Sequence, residues 1–325
     1  MQTVRHAGST SSAGDAVTKV VSADNALRWV SPVENAEFKI TEDGEFPEIV
    51  FEFHAQAVAD CTWSWVIEWD AKVSGLRERA RQGNALQTFK ASGSFNNRNN
   101  VWVADLSGSV LGGTLTVTVA LGQRTLSRSV VIKGANPSKG SVANYIADLE
   151  DMSGFEKLLE QETGSKHFIE LDSEPIVAFD KGYGITQMTN PAPSFEQVWS
   201  WKANILAGSS IYKDKVRAAK QYLGQASRTY TDEQLRHEVF SRWNGGSYHE
   251  WDAAASSWVR KKNTLCDSNT GNIGWSMDKE KNKGKTESEL RERDKDTYKK
   301  GTKGQSADHP WEYKGVCYAD HVLAE

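Results

Sequence analysis

The residues best suited to chemistry lie between Glu162 and Met188, where a helix-end glutamate precedes a glycine-flanked segment, GYGITQM. A carboxylate at the C-terminal end of a helix faces the negative pole of the helix dipole, which disfavours its charged form. Burial beside aromatic side chains would raise its pKa further. Glu162 therefore has the position of a general acid, the group that cleavage of a glycosidic bond requires. The same position is also common among ordinary surface glutamates.

Capping signals predict the helices around this glutamate. Ser153-Gly-Phe-Glu156 matches a capping box, and Gly164 is suited to end the helix, so Glu162 falls in its last turn. Ser194-Phe-Glu-Gln197 predicts the start of a longer helix, and Thr231-Asp-Glu-Gln234 predicts another. Three helix starts indicate a mostly α-helical domain in the C-terminal part of the chain.

Residues 27–135 instead alternate between apolar and polar, as strands with one buried face do. Several such strands predict a β-sandwich that resembles the immunoglobulin fold in architecture, without its cysteine pair. Trp63, Trp65 and Trp69 share one face of a strand. We expect them in the core, and a platform that stacks on sugar rings is the alternative.

The remaining segments divide the chain. Residues 1–26 are rich in small polar residues and are interpreted as a flexible tail. Glycine, proline and serine indicate a linker at 136–144, followed by the helical domain at 145–325. The charged segment 278–308 is almost free of apolar residues, so we expect a solvated insertion that contributes nothing to a core.

Bulk properties restrict the partners. The net charge of −4 argues against nucleic acid as the main partner. No apolar run approaches the roughly 20 residues that span a bilayer, so no membrane span is expected. The N-terminus lacks the apolar core of a secretory signal.

The cysteines leave one question open. Cys61, Cys266 and Cys317 form no CxxC pattern, and His237-Glu238 is not followed by the second histidine of a zinc helix. Neither a metal site nor a cofactor is predicted. The sequence is compatible with two alternatives. In the first, Cys266 and Cys317 form a disulfide and Cys61 is free. In the second, all three are buried free thiols.

Four elements, taken together, resemble the lysozyme-like superfamily that includes lytic transglycosylases and goose-type lysozymes. They are the helix-end LLEQETG, then GYGITQM at 182–188, RWNGG at 242–246 and YADHV at 318–322. They occur in the family's order over about residues 150–325. This chain departs at Thr186, where the family usually has Met, and at Trp243, where it usually has Tyr.

The resemblance implies a role for each matching residue. Glu162 would be the general acid, and Gln187 and Asn244 would hydrogen-bond acetamido or hydroxyl groups. The aromatic residues Tyr183, Trp243 and Tyr318 would shape the groove around the scissile bond. Asp180, before the GYG segment, resembles the aspartate that precedes the same element in goose-type lysozymes and would position the attacking water.

The implied activity is that of a muramidase on peptidoglycan glycan strands, cleaving the β-1,4 bond between N-acetylmuramic acid and N-acetylglucosamine. A lytic transglycosylase, which forms 1,6-anhydro ends, is the first alternative. A non-catalytic cell-wall-binding or structural protein on the same fold is the second. The expected place of action is the periplasm or cell wall, after delivery by a secretion machine or a phage lysis route. A carrier and an immunity protein are then candidate partners.

Overall fold

The computed structural model of the chain describes residues 27–55, 60–74, 82–300 and 304–324. The tail predicted at 1–26 lies outside these ranges. Of the residues in these ranges, 31% are helical and 32% are in strands. The expectation of a mostly helical C-terminal domain was wrong, because two small sheets lie among its helices.

The N-terminal strands form two sheets. The larger has the order β2-β8-β7-β4-β5, in which β2 runs parallel to β8 and the other neighbours are antiparallel; the smaller has the order β1-β3-β6. The strands are β1 (Leu27–Ser31), β2 (Ala36–Ile40), β3 (Val50–Ala55), β4 (Cys61–Val73), β5 (Gln82–Asn97), β6 (Val101–Val103), β7 (Gly113–Leu121) and β8 (Arg124–Gly134).

The tryptophans of β4 lie in the core of these strands. Trp63 is fully buried and stacks on Phe95, with ring centroids 6.2 Å apart. Trp65 and Trp69 keep only 7% and 6% of their surface exposed. The core interpretation is therefore confirmed and a sugar-binding platform on this face is excluded, since a ring buried to this extent cannot stack on a ligand.

The C-terminal region places helices around the two small sheets, β9–β10 and β11–β12–β13. Its elements are α1 (Lys139–Ala147), α2 (Phe155–Thr163), α3 (Phe195–Trp199), α4 (Trp201–Leu223), α5 (Asp232–Trp243), β9 (His249–Asp252), β10 (Ser257–Arg260), β11 (Thr264–Cys266), β12 (Ile273–Ser276), α6 (Glu287–Tyr298), β13 (Trp311–Tyr313) and α7 (Gly315–Leu323). Part of the predicted linker thus belongs to α1. Within the described residues, no helix is both long and apolar enough to cross a membrane.

The helix ends follow the capping signals in part. The capping boxes at Ser194 and Thr231 are confirmed, and Gly164 ends α2 in the left-handed conformation, with Glu162 in the last turn. The box predicted at Ser153 is wrong, because α2 begins after Gly154, which has a φ of 87° and provides no side-chain cap.

The helix predicted from Ser194 is interrupted. The side chain of Ser200 accepts a hydrogen bond from the backbone N–H of Ala203 and so caps a second helix, α4. The capping signal at Ser194 therefore begins a short helix, α3, and the longer helix that it was expected to start begins only after Ser200.

The charged segment at 278–308 does contribute to a core, contrary to expectation. Within α6, Leu290 is fully buried in a cluster with Trp275 and Trp311. The indole Nε1 of Trp275 donates a hydrogen bond of 2.7 Å to Oδ2 of Asp294, which is also fully buried. One leucine is sufficient to pack α6 into this core, because the flanking strands provide the large apolar side chains of Trp275 and Trp311.

The core of the β-sandwich extends into the C-terminal region. Trp199, at the end of α3, packs edge-on against Trp69, with ring centroids 5.4 Å apart. Beside this contact, Glu174 accepts hydrogen bonds from Lys133 Nζ at 2.7 Å and from Trp69 Nε1 at 2.9 Å. The sandwich therefore supports the helical region directly.

We predict that Gly112→Ala destabilises the protein. A Cβ at this position would lie 2.1 Å from the ring of Trp199, so either the tryptophan or the strand must move. Overpacking of this kind lowers the free energy of unfolding by about 1–3 kcal/mol, which chemical denaturation measures.

Gly140→Ala, in α1, is the matched control. Its Cβ would have only one neighbour, Ser138 Oγ at 3.7 Å, an ordinary contact. A helical alanine should leave the stability unchanged or raise it by up to about 1 kcal/mol. Equal stabilities for the two variants would contradict the tight packing at Trp199.

Candidate active site

A cleft of about 880 Å³ opens where α2, α4, α5, α7 and the sheet β11–β12–β13 approach one another. It brings together most of the residues that the sequence analysis selected, although they lie far apart in the chain. These are Glu162, Asp180, Gln187, Trp243, Asn244 and Tyr318.

Two hydrogen bonds hold the carboxyl group of Glu162. Its Oε1 accepts from the indole Nε1 of Trp243 at 3.0 Å and from the hydroxyl of Tyr318 at 2.6 Å. Because Oε1 takes both bonds, Oε2 is the oxygen left to carry a proton toward the cleft. The last turn of α2, the end of α5 and the middle of α7 therefore meet at one atom.

The surroundings of Glu162 favour its protonated form. Burial raises the pKa of this carboxyl above its ordinary value, and the negative charge of Asp180 adds to the rise. The hydrogen bonds from Tyr318 and Trp243 lower the pKa but do not cancel the effect of burial. Burial and the adjacent carboxylate also raise the pKa of Tyr318 well above the usual range, so its hydroxyl remains a donor.

Tyr183 does not reach the cleft. Its ring is buried in the core of the sandwich and packs edge-on against Phe89, with ring centroids 5.7 Å apart. The groove-shaping role that the resemblance implied for Tyr183 therefore does not fit its position. Its backbone still matters, since it pairs with Val177 and Met188 and so folds the segment into a tight loop.

Two buried polar residues that the sequence analysis missed hold this loop. His167 accepts a hydrogen bond from the Ile185 N–H at Nδ1 and donates from Nε2 to the Val198 carbonyl, at 3.1 and 2.8 Å. Burial lowers the pKa of His167 to about 4. The imidazole is therefore neutral at pH 7, as an accepting Nδ1 requires.

Asn204 is the second buried polar residue that holds the loop. Its Oδ1 accepts from the backbone N–H of Thr186 at 3.0 Å and from the hydroxyl of Thr186 at 2.7 Å. This pair explains the departure at Thr186, because methionine has no hydroxyl to donate. Asn204 is fully buried, between Trp201 and Ile205 on the buried face of α4, and a polar residue among these apolar positions was the available signal.

The loop has room only for glycine at one position. Gly184 has a φ of 67°, and a Cβ there would lie 2.4 Å from Cε1 of His167. The glycine thus allows the backbone of the loop to approach the supporting histidine closely.

Gln187 and Asn244 both line the cleft. The Gln187 Nε2 donates to the Gly184 carbonyl at 2.7 Å, while its Oε1 has no hydrogen-bond partner among the described residues. Nδ2 of Asn244 has none in that part of the chain either. Both atoms are covered by protein, so the two side chains contribute to the cleft wall without presenting these atoms at its surface.

Asp180 is exposed at the edge of the cleft. Its Oδ1 accepts a hydrogen bond of 3.3 Å from the Gly182 N–H, and its charge acts on Glu162. The neighbouring Glu174 instead forms its ion pair with Lys133 at the junction with the sandwich. Of the acids in this stretch, Asp180 is thus the one that shares the cleft with Glu162.

The helix that carries Tyr318 is firmly anchored. Cys266 and Cys317 form a disulfide, which decides the alternative that the sequence left open, and Cys61 is a buried free thiol. Asp320, on the same helix, accepts from Nη2 of Arg260 at 2.6 Å and from the Tyr248 hydroxyl at 2.6 Å.

The described residues contain no group of three or more His, Cys, Asp or Glu side chains that could hold a metal ion. Comparison with models of known protein families and with curated protein sequences finds no match for this chain.

We predict that Tyr318→Phe raises the pKa of Glu162. The hydroxyl of Tyr318 stabilises the charged carboxylate, so its removal makes the proton harder to lose. A ¹³C NMR titration of the Glu162 carboxyl should then show its midpoint at higher pH than in the wild type.

Tyr222→Phe is the control for this titration. Its hydroxyl donates to the His249 carbonyl at 2.8 Å and makes no contact with Glu162. Loss of one buried tyrosine hydroxyl there should leave the Glu162 midpoint in place. A midpoint unchanged or lowered in Tyr318→Phe would contradict the hydrogen bond.

Proposed function

We propose that the protein is a muramidase that cleaves the β-1,4 bond between N-acetylmuramic acid and N-acetylglucosamine in peptidoglycan. The observation that carries the proposal is Glu162, a carboxyl with a raised pKa that is held by Trp243 and Tyr318 within a large cleft. A general acid must hold its proton near neutral pH and keep a fixed orientation. The raised pKa of Glu162 favours the first, and its two hydrogen bonds support the second.

In the proposed reaction, Glu162 donates its proton from Oε2 to the glycosidic oxygen of the leaving sugar. The carboxylate that forms keeps its two hydrogen bonds at Oε1, which stabilise the new negative charge. Burial therefore favours the acid before the transfer, and the two donors stabilise its conjugate base afterwards.

The amides of Gln187 and Asn244 support an N-acetylated sugar as the substrate. An acetamido group has one N–H and one carbonyl oxygen, and an amide side chain can accept from the first and donate to the second. Gln187 and Asn244 place two such side chains in the lining of the cleft. A sugar without this group would lose those hydrogen bonds and be discriminated against.

Asp180 supports hydrolysis. An inverting hydrolase places a second carboxylate across a gap from the acid to activate water. Asp180 lines the same cleft as Glu162, is exposed to solvent and acts electrostatically on that residue. A transglycosylase needs no such group, since the 6-hydroxyl of the sugar attacks and leaves a 1,6-anhydro end.

Glu162→Gln should lower the release of muropeptides from purified peptidoglycan about 10²–10⁴-fold, the usual contribution of a general acid. The glutamine keeps an oxygen that accepts from Trp243 and Tyr318, so the fold should be preserved. Chromatography with mass spectrometry of the soluble products is the measurement. Equal release by the wild type and the variant, or none by either, would contradict the enzyme proposal and favour a binding or structural protein.

The same spectra distinguish the two enzyme types, since hydrolysis leaves reducing ends and transglycosylation leaves anhydro ends. We expect reducing ends, and we expect Asp180→Asn to reduce their formation about 10²-fold or more. Asp172→Asn is the matched control, because Asp172 accepts a hydrogen bond from the Glu174 N–H and does not line the cleft. Unchanged hydrolysis by Asp180→Asn would exclude this residue as the group that positions water.

A further inference from the structure

Two aromatic side chains stand exposed in a protein that buries its other rings. Phe179 has 76% of its surface exposed and Tyr313 has 46%. Among the described residues, every other phenylalanine, tyrosine and tryptophan is buried or half-buried. Both exposed rings line the cleft that contains Glu162, which makes their exposure a property of this site.

The backbone holds Phe179 at the tip of a closed turn. The Ala178 N–H donates to the Gly182 carbonyl at 2.8 Å, and the Lys181 N–H donates to the Ala178 carbonyl at 3.1 Å. Lys181 adopts a φ of 68° to complete the turn. The turn presents the phenyl ring to solvent immediately before Asp180.

Tyr313 comes from a different part of the chain and is also held in place. It ends β13, whose Trp311 is fully buried and packs edge-on against the Tyr313 ring, with centroids 5.5 Å apart. The charge of Asp180 acts on the Tyr313 hydroxyl, so the two residues face the same space. A ring braced in this way loses little conformational entropy when a ligand covers it.

The lining around these rings combines apolar and polar side chains. The cleft includes amide and hydroxyl side chains, those of Thr189, Asn190, Thr270 and Asn272. An apolar partner protein would leave such groups unpaired, at a cost in free energy. A pyranose has an apolar C–H face that covers an aromatic ring and hydroxyl groups that meet amides and carboxylates, so it suits both parts of the lining.

We propose that Phe179 and Tyr313 form an aromatic subsite that stacks on sugars of the glycan strand next to the sugars bound at Glu162. The proposal rests on the proposed function, since it takes a peptidoglycan glycan as the ligand. Asp180 then faces hydroxyl groups of the stacked sugar as well as the attacking water. The segment 278–308 gains a role, because with Trp275 and Trp311 it builds the core under β13.

The test measures binding by the inactive full-length Glu162→Gln variant, so that cleavage does not interfere. The probes are peptidoglycan glycan strands stripped of peptides by an amidase and separated into short and long fractions. Isothermal titration calorimetry should show tighter binding of the long fraction. Phe179→Ala and Tyr313→Ala, in this background, should each weaken that binding about tenfold, the factor expected for roughly 60 Å² of apolar surface left in water.

Two controls separate stacking from general effects. Leu171→Ala removes another exposed apolar side chain, 72% exposed and outside the cleft, and should leave the affinity unchanged. Tyr313→Phe keeps the ring without the hydroxyl. It should bind the long fraction with the same affinity as the Glu162→Gln protein that carries no second substitution. Circular dichroism confirms that each variant is folded.

The outcomes distinguish this proposal from the proposed function. Affinity that does not change with strand length, or that survives loss of both rings, would overturn the aromatic subsite whether or not the wild type cleaves peptidoglycan. No binding of any fraction would overturn it as well. Ring-dependent binding by a protein that releases no muropeptides would support the subsite and reject the muramidase.

Discussion

The site depends on one oxygen atom. Oε1 of Glu162 accepts from Trp243 and Tyr318, so three helices that are distant in sequence meet there. Each donor is fixed by its own surroundings. Trp243 packs against Phe155, with ring centroids 5.9 Å apart, and Tyr318 lies on the helix that the disulfide and Asp320 anchor. A shift of any of these helices would remove a donor and alter the acidity of the carboxyl.

The support for this arrangement extends into the β-sandwich. The loop that carries Gln187 is held by His167 and Asn204, and His167 donates to the carbonyl of Val198 in α3. The next residue, Trp199, is embedded in the core of the sandwich. The sandwich is thus part of the scaffold of the cleft, which gives it a structural role that the sequence did not suggest.

The sequence was sufficient to predict the structure where the signal depended on neighbouring residues. Alternation along β4 predicted its buried tryptophans, and Gly164 predicted the helix end that places Glu162, because both depend only on neighbouring residues. It failed where the outcome depends on packing. The groove-shaping role of Tyr183 required the direction of its ring, which Phe89 and the sandwich decide. Leu290 in α6 gains its burial from Trp275 and Trp311, which lie outside the helix.

The disulfide has a topological consequence. Cys266 and Cys317 are separated by 51 positions, and the segment between them contains β12, α6 and β13. This wall of the cleft is therefore a covalently closed ring attached to α7. A protease that cuts within the ring would open a chain without releasing a fragment, so Tyr313 and Tyr318 would stay on one molecule. This wall of the cleft is thereby protected against the loss of its parts after a single cut.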